Sequence, residues 1–138
     1  LRILPITAGA LSLVYVFVTA NVIAIRRSDS IVIGTGKDNK LMEFRVRGHA
    51  NFVETVPFAL IMLGLIEVNG YLPEWTLTSL SGCLVAGRIL HAYAFSYVHS
   101  IKKHLRFRSP GMVLTLSSMA ISGLVLLGNG LKNLLGQK

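Results

Sequence analysis

Residues 3–25 read ILPITAGALSLVYVFVTANVIAI, an apolar stretch in which no side chain carries a formal charge. A helix needs about 20 such residues to cross the hydrocarbon core of a bilayer. Arg26 and Arg27 follow directly, as is typical where a membrane helix reaches the lipid headgroups. Because the apolar run is longer than the usual core of a secretory signal peptide, we predict a retained membrane helix rather than a cleaved signal.

The composition also favours a membrane protein. Of the 138 residues, 52% are hydrophobic and 14% are charged, whereas an average soluble domain has about 25% charged residues. The apolar stretches lie at about residues 3–25, 48–68, 75–98 and 111–135, and no alternation of the β-barrel kind occurs. We therefore predict a single all-α integral membrane domain over residues 1–138, a bundle of four transmembrane helices.

The formal net charge of +8 is unevenly distributed. Basic residues concentrate in two connections, 26–47 and 99–109, whereas the link at 69–74 has none. Basic segments next to membrane helices mark the cytoplasmic side, so we expect both connections inside and both chain ends outside. Lys102 and Lys103 are expected to meet anionic lipid headgroups. Since no aromatic residues are interleaved with the basic ones as on a base-stacking surface, we predict membrane lipids and no nucleic acid as partners.

Two other kinds of site are disfavoured by the sequence. Cys83 is the only cysteine, so no intrachain disulfide and no cysteine-rich metal site can form, and we predict no metal. Residues 31–37, IVIGTGK, resemble a phosphate-binding loop only superficially, because the full glycine spacing and the Ser or Thr after the lysine are missing.

Ionisable side chains inside the predicted spans need a reason, because each costs about 2.5–3.5 kcal/mol at membrane depth. At helical spacing, Arg47, Asn51 and Glu54 share one face of the second helix. Arg88 and His91, together with Phe95, share one face of the third helix by the same arithmetic. We expect the two faces to meet near the basic connections, in a cationic pocket open to the cytoplasm, with Arg27, Arg106 and Arg108 contributing from their connections.

These residues allow two interpretations. Glu54 and Arg88 could form a buried ion pair that only fixes helix packing. Alternatively, one glutamate cannot neutralise Arg47, Arg88 and Arg108, so an anionic ligand would be the missing partner. Arginine grips carboxylates with two parallel hydrogen bonds, and Glu54 could hold an amine. Glutathione carries both kinds of group.

Three motifs carry a resemblance to a known family. Residues 44–57, FRVRGHANFVETVP, contain Arg47, Asn51, Glu54 and Pro57 in a pattern that resembles the signature of the MAPEG proteins, membrane-associated proteins in eicosanoid and glutathione metabolism. Residues 87–91, GRILH, resemble that family's third-helix motif. Arg108-Ser109 is similar to the catalytic arginine and neighbouring serine of membrane prostaglandin E synthase. The resemblance covers nearly the whole chain.

The resemblance implies a homotrimer of four-helix protomers, with glutathione bound between adjacent subunits. It implies that Arg108 faces the glutathione sulfur as the catalytic residue. The implied glutathione-binding residues are Arg27 from a neighbouring subunit, Arg47, His49, Asn51, Glu54, Arg88, His91 and Ser109. The implied activity is that of a glutathione transferase or peroxidase of the bacterial inner membrane, acting on lipophilic small molecules or lipid hydroperoxides from the cytoplasmic face.

The sequence departs from the family pattern in two places and leaves alternatives open. Phe95 stands where a tyrosine contacts glutathione in the eicosanoid enzymes, and the longer loop before Arg108 lets Arg106 compete for its role. The pattern around His49 resembles the bacterial branch, so an eicosanoid synthase is not expected. A non-catalytic scaffold that binds lipid or glutathione is the main alternative. A transporter is disfavoured because the outer helix halves are apolar, and the second substrate stays open.

Overall fold

The computed structural model describes residues 1–97 and 101–136, and the side chains of residues 101–103 are not described. Within that part of the chain there are four helices and no strand: α1 (Ile3–Ser28), α2 (Lys40–Asn69), α3 (Glu74–Tyr97) and α4 (Ile101–Gly136). α2 and α3 each pack against all the other helices, whereas α1 and α4 do not touch there. The predicted all-α four-helix bundle is confirmed. Val98 and His99, predicted at the end of the third span and in the basic connection, lie outside the described residues, as do the side chains of Lys102 and Lys103.

Among the described residues, three helices are long and apolar enough to cross a membrane: α1, α2 and the His104–Gly136 part of α4. α3 is not among them, although its 24 residues would extend about 36 Å at about 1.5 Å per residue, more than a hydrocarbon core of about 30 Å. Its polar residues lower its hydropathy, and Arg88 and His91 are each only 1% exposed, inside the bundle. The chain is an integral membrane protein, and the crossing by α3 stays a prediction.

α2 begins at Lys40 rather than near residue 48, because Asn39, which precedes the apolar stretch, caps the start of the helix. The Asn39 side chain accepts a hydrogen bond from the Met42 amide at 3.0 Å, which satisfies one of the free donors of the first turn. Part of the first basic connection is therefore helical. This places Glu43, Phe44 and Arg47 on the same rigid element as Asn51.

α4 begins at Ile101 rather than near residue 111 and runs through Pro110. The helix therefore extends about ten residues before the predicted fourth span, at about residues 111–135, into the second basic connection. A proline removes one N–H donor from a helix, and membrane helices tolerate this where other groups satisfy the freed carbonyl. Because residues 101–109 are helical, His104 and Arg108 are one turn apart on the same face of α4.

α3 and α4 approach closely at a pair of glycines. A side-chain carbon at Gly87 would lie 2.7 Å from the Gly111 carbonyl oxygen, and one at Gly111 would lie 2.8 Å from the Gly87 carbonyl oxygen. Further along, the Ser118 hydroxyl donates to the Leu80 carbonyl at 2.9 Å, and both Ser118 and Ser122 are buried. The backbones of the two helices therefore touch directly beside Arg88.

The apolar core lies mostly in the half of the bundle near the α2–α3 turn. It is formed by Leu11, Phe52, Val56, Ala59, Leu63, Ile66, Leu77, Leu80 and Leu84. At that end the Glu67 carboxylate of α2 accepts hydrogen bonds from the amides of Ile3 and Leu4, each at 2.8 Å, and from the Arg2 amide. A carboxylate at a helix N-terminus satisfies free donors and complements the helix dipole, so α1 is held to α2 there. The residues of the predicted polar stripes on α2 and α3 lie in the opposite half.

Candidate functional site

A cavity of about 160 Å³ lies where α2, α3 and α4 meet in the basic half of the bundle. It is lined by Arg47, Ala50, Asn51 and Glu54 of α2, His91 and Phe95 of α3, and Arg108 of α4. The predicted stripe on α2 and the predicted stripe on α3 therefore do face each other, because side chains three or four residues apart share one side of a helix. Arg47, Glu54 and Arg108 are exposed, whereas His91 and Phe95 are buried.

Arg88 lies behind this cavity and does not line it. Its Nη2 donates to the Asn51 side-chain oxygen at 2.9 Å and lies 3.2 Å from His91 Nδ1. A guanidinium can only donate, so His91 Nδ1 accepts and the neutral ring carries its proton on Nε2. Nε and Nη1 of Arg88 have no partner among the described residues, and its guanidinium carbon lies 5.5 Å from the centre of the Phe52 ring. Arg88 thereby holds two of the cavity's polar residues in place.

The Glu54–Arg88 ion pair, which the sequence left open as a packing device, is not formed. The ion pair found within residues 1–97 and 101–136 joins Arg2 and Glu74, at 3.5 Å. Arg88 instead uses the neutral amide of Asn51 as its partner. Glu54 therefore lines the cavity without an ion-pair partner in Arg88, on the same helix as Arg47.

Phe95 forms the apolar wall of the cavity. Its ring lies 4.7 Å from the His91 ring, and the guanidinium carbon of Arg108 lies 5.5 Å from its centre. A side-chain carbon at Gly48 would lie 2.7 Å from Phe95 Cβ, so only glycine lets α2 pass this close. Phe95 supports Arg108 through its ring face, an interaction that needs no hydroxyl group.

A second, smaller cavity of about 130 Å³ shares three residues with the first. Its lining residues are Glu43, Phe44, Arg47, Phe95 and Arg108. Glu43 and Phe44 lie before residue 48, near which the sequence predicts the start of α2, and Ala50 has no polar group that would mark it as a site residue. The available signal was spacing: Glu43 and Phe44 precede Arg47 by four and three residues, one helical turn.

Three predicted site residues lie away from both cavities within this protomer. His49 faces α1, with its ring 5.5 Å from that of Tyr15. Arg27 is exposed at the end of α1, and Ser109 is exposed on α4. Arg106, the competitor of Arg108, is also exposed and lines neither cavity. Of the two arginines, Arg108 is the one that lines the cavities.

The arrangement is a mostly cationic cavity with a single carboxylate among the residues that line its inner part. Counting formal charges with His91 neutral, three arginines stand against Glu54, and two of the three, Arg47 and Arg108, line the cavity itself. Guanidinium groups bind carboxylates in pairs of parallel hydrogen bonds. A small ligand with carboxylates and one amino group would complement the charges of this wall.

A four-helix membrane bundle with an arginine-lined cavity between α2, α3 and α4 defines a class of small integral membrane protein. Residues 4–128 match the sequence model of the MAPEG family. The chain is 30% identical over 95 residues to the inner membrane protein YecN of Escherichia coli strain K12, covering 69% of this chain and 67% of YecN. YecN of Escherichia coli O6:H1 strain CFT073 matches to the same extent. No solved structure matches. The chain belongs to the MAPEG family, a family associated with glutathione metabolism.

Proposed function

We propose that the chain is a glutathione-dependent transferase or peroxidase of the bacterial inner membrane. The observation that carries the proposal is the placement of Arg47 and Arg108 around one cavity that also holds Glu54. Glutathione has two carboxylates and one ammonium group, which match arginines and a glutamate respectively. Family membership supports a role for glutathione, and the inner-membrane relative supports the location.

In this proposal Arg47, Asn51 and Glu54 hold glutathione, with Arg88 and His91 behind or beside them. Arg108 faces the sulfur. A free thiol has a pKa of about 8.5, so only a few per cent is ionised at neutral pH, and a fixed cation beside it increases the thiolate fraction. The thiolate is the nucleophile for both candidate reactions.

The two reactions differ in what the thiolate attacks. In conjugation, a carbon–sulfur bond forms and the leaving group departs with its electron pair. In peroxide reduction, the thiolate attacks the O–O bond and becomes a sulfenic acid while the lipid hydroperoxide becomes an alcohol. A second glutathione then forms the disulfide and releases water. The lipophilic second substrate would arrive through the bilayer.

The oligomeric state is part of the proposal. The inner cavity of one protomer, about 160 Å³, is smaller than the roughly 300–1,000 Å³ typical of ligand pockets. A homotrimer, as the family resemblance implies, would supply a further wall. Arg27, which lies away from the cavity of its own protomer, would then reach glutathione bound to a neighbouring subunit.

Two variants and a control test the assignment in detergent-solubilised protein. Arg108→Ala should abolish turnover of a chlorinated dinitrobenzene and of a lipid hydroperoxide while keeping glutathione binding, because the cation beside the sulfur is lost. Glu54→Ala should lose binding measured by calorimetry, because the ammonium partner is gone. Arg106→Ala is the matched control, since that arginine lies outside both cavities. If both site variants kept full activity, the assignment would be wrong.

The alternative is a non-catalytic protein that binds a lipid or glutathione. One observation favours it: an apolar groove of about 370 Å³ lies between α1 and α3, away from the arginines. Its lining residues are Leu13, Val14, Phe17, Ile89, Ala92, Tyr93 and Tyr97. Wild-type protein that binds glutathione or lipid but supports neither reaction, with Arg108→Ala behaving identically, would establish this alternative.

A further inference from the structure

His104 is a buried residue of α4 that is followed along the chain by exposed residues. It is 4% exposed, whereas the neighbouring Leu105 and Arg106 are exposed. It lines neither cavity, so it has no direct contact with a ligand there. A buried imidazole costs free energy unless its polar atoms are satisfied, and its burial at this position therefore needs a structural reason.

The His104 ring closes the end of α3. Its Nδ1 lies 3.0 Å from the Ala94 carbonyl oxygen. A carbonyl can only accept, so Nδ1 carries a proton and donates it. Ala94 belongs to the last turn of α3, which ends at Tyr97, and the last carbonyls of a helix have no partner within it. His104 therefore caps α3 with a side chain from α4.

The same ring braces the wall that carries Arg108. His104 packs edge-on against Phe95, with centroids 4.6 Å apart and planes at 88°. Arg108, one turn further along α4, lies over the same Phe95 ring at 5.5 Å. Phe44 of α2 also contacts the His104 ring, with centroids 5.0 Å apart, and lies 6.2 Å from the Phe95 ring. Edge-to-face ring pairs and cation–ring contacts are both favourable, so Phe95 links His104 and Arg108.

We propose that His104 is a positioning residue for Arg108. Its hydrogen bond to Ala94 and its contact with Phe95 fix the first turns of α4 relative to the end of α3, both in rotation about the α4 axis and in position along it. Without that cap, these turns shift and Arg108 moves relative to the sulfur of bound glutathione. A displacement of about 1 Å can cost about a hundredfold in rate. The catalytic part of this inference rests on the proposed function.

Three substitutions separate the hydrogen bond from the ring. An asparagine amide nitrogen lies near the position of the histidine Nδ1, so His104→Asn keeps the donor to Ala94. His104→Gln places its amide near the Nε2 position and loses that donor, and His104→Phe keeps the ring without it. Leu105→Ala, at a neighbouring residue that is 48% exposed, is the matched control.

The expected result is a separation of turnover from binding. In His104→Gln and His104→Phe, kcat should fall about ten- to a hundredfold, the loss expected when the catalytic cation moves by up to about 1 Å. The Kd for glutathione should stay near the wild-type value, because Arg47, Asn51 and Glu54 are untouched. His104→Asn should recover most of kcat, and Leu105→Ala should behave as wild type.

Other outcomes would overturn the inference. A wild-type kcat in His104→Gln would show that the cap does not position Arg108. A proportional loss of kcat and glutathione affinity would indicate a general disruption of the pocket. Equal losses in His104→Asn and His104→Gln would exclude the hydrogen bond to Ala94 as the cause.

Hydrogen–deuterium exchange supplies a readout that needs no glutathione. Peptides that cover the last turn of α3, up to Tyr97, should exchange faster in His104→Gln than in wild type, and His104→Asn should restore protection. If wild type neither bound nor turned over glutathione, the proposed function would fail, but the exchange rates would still show whether His104 caps α3. Identical exchange in His104→Gln and His104→Asn would then overturn the cap.

Discussion

Replacing Gly87 by alanine tests the helix crossing that places His91 opposite Arg108. The added Cβ would lie 2.7 Å from both the Gly111 carbonyl oxygen and the Thr115 hydroxyl oxygen. Ordinary contacts between such atoms are about 3.5–4.0 Å, so α3 and α4 would have to separate by about 1 Å. Overpacking of this kind costs about 1–3 kcal/mol, and alanine returns about 0.5–1 kcal/mol of helix propensity. The expected net loss is therefore about 1 kcal/mol.

The matched control is Gly82→Ala on the same helix, where an added Cβ meets nothing within 4 Å. This variant should be neutral or more stable by up to about 1 kcal/mol, because only the propensity gain remains. Thermal unfolding in detergent, followed by circular dichroism, compares the Tm of the two variants. Glutathione titration of the same samples should show weaker binding for Gly87→Ala alone, since widening the crossing moves His91 away from Arg108.

A Gly87→Ala protein whose Tm equals or exceeds that of Gly82→Ala would contradict the close approach of α3 and α4. Such a result would mean that the backbones of α3 and α4 do not touch at Gly87 and Gly111. An unchanged glutathione affinity together with a lower Tm would instead refute the link between this crossing and the cavity.

Two further substitutions test single contacts. Asn51→Leu removes the acceptor for Arg88 Nη2 and should destabilise the protein by about 2 kcal/mol, because a hydrogen bond to a buried charge is lost; an unchanged Tm would contradict this role. Glu67→Gln weakens the cap on the amides of Ile3 and Leu4 and should cost about 1 kcal/mol. Glu74→Gln is the control, because Glu74 is exposed and forms an ion pair only with Arg2 in the described part of the chain. This variant should lose less than about 0.5 kcal/mol of stability. Equal losses in the two glutamine variants would argue against a cap by Glu67.

The stripes of polar residues were predictable because they depend on local periodicity. Arg47, Asn51 and Glu54 share a face whenever residues 47–54 are helical, and the same holds for Arg88 and His91. Pairing between helices was not predictable in this way. Opposite charge favoured a Glu54–Arg88 pair, but the distance between α2 and α3 brings Asn51 to Arg88 instead.

The role of Arg108 depended on a helix boundary. The Ser-Pro-Gly sequence at residues 109–111 is typical of a break, yet α4 continues through it to Ile101. That extension places His104 and Arg108 on one face, and both contact the Phe95 ring. A helix end held by contacts with another helix cannot be located from the residues around it alone.

By itself, the sequence determined that this is a membrane protein of helices whose basic residues gather at one end of the bundle. Residues 3–25 are uncharged and long enough to cross a bilayer, so they predict a membrane helix without any knowledge of the fold. The motifs around Asn51 and Arg88 can be recognised from local spacing alone. Tertiary structure decided which charges line the cavity, which side chain satisfies Arg88 and how His104 closes α3. Those outcomes depend on the close approach of α3 and α4 at Gly87 and on the packing around Phe95, because contacts between distant residues are set by the relative rotation and height of whole helices.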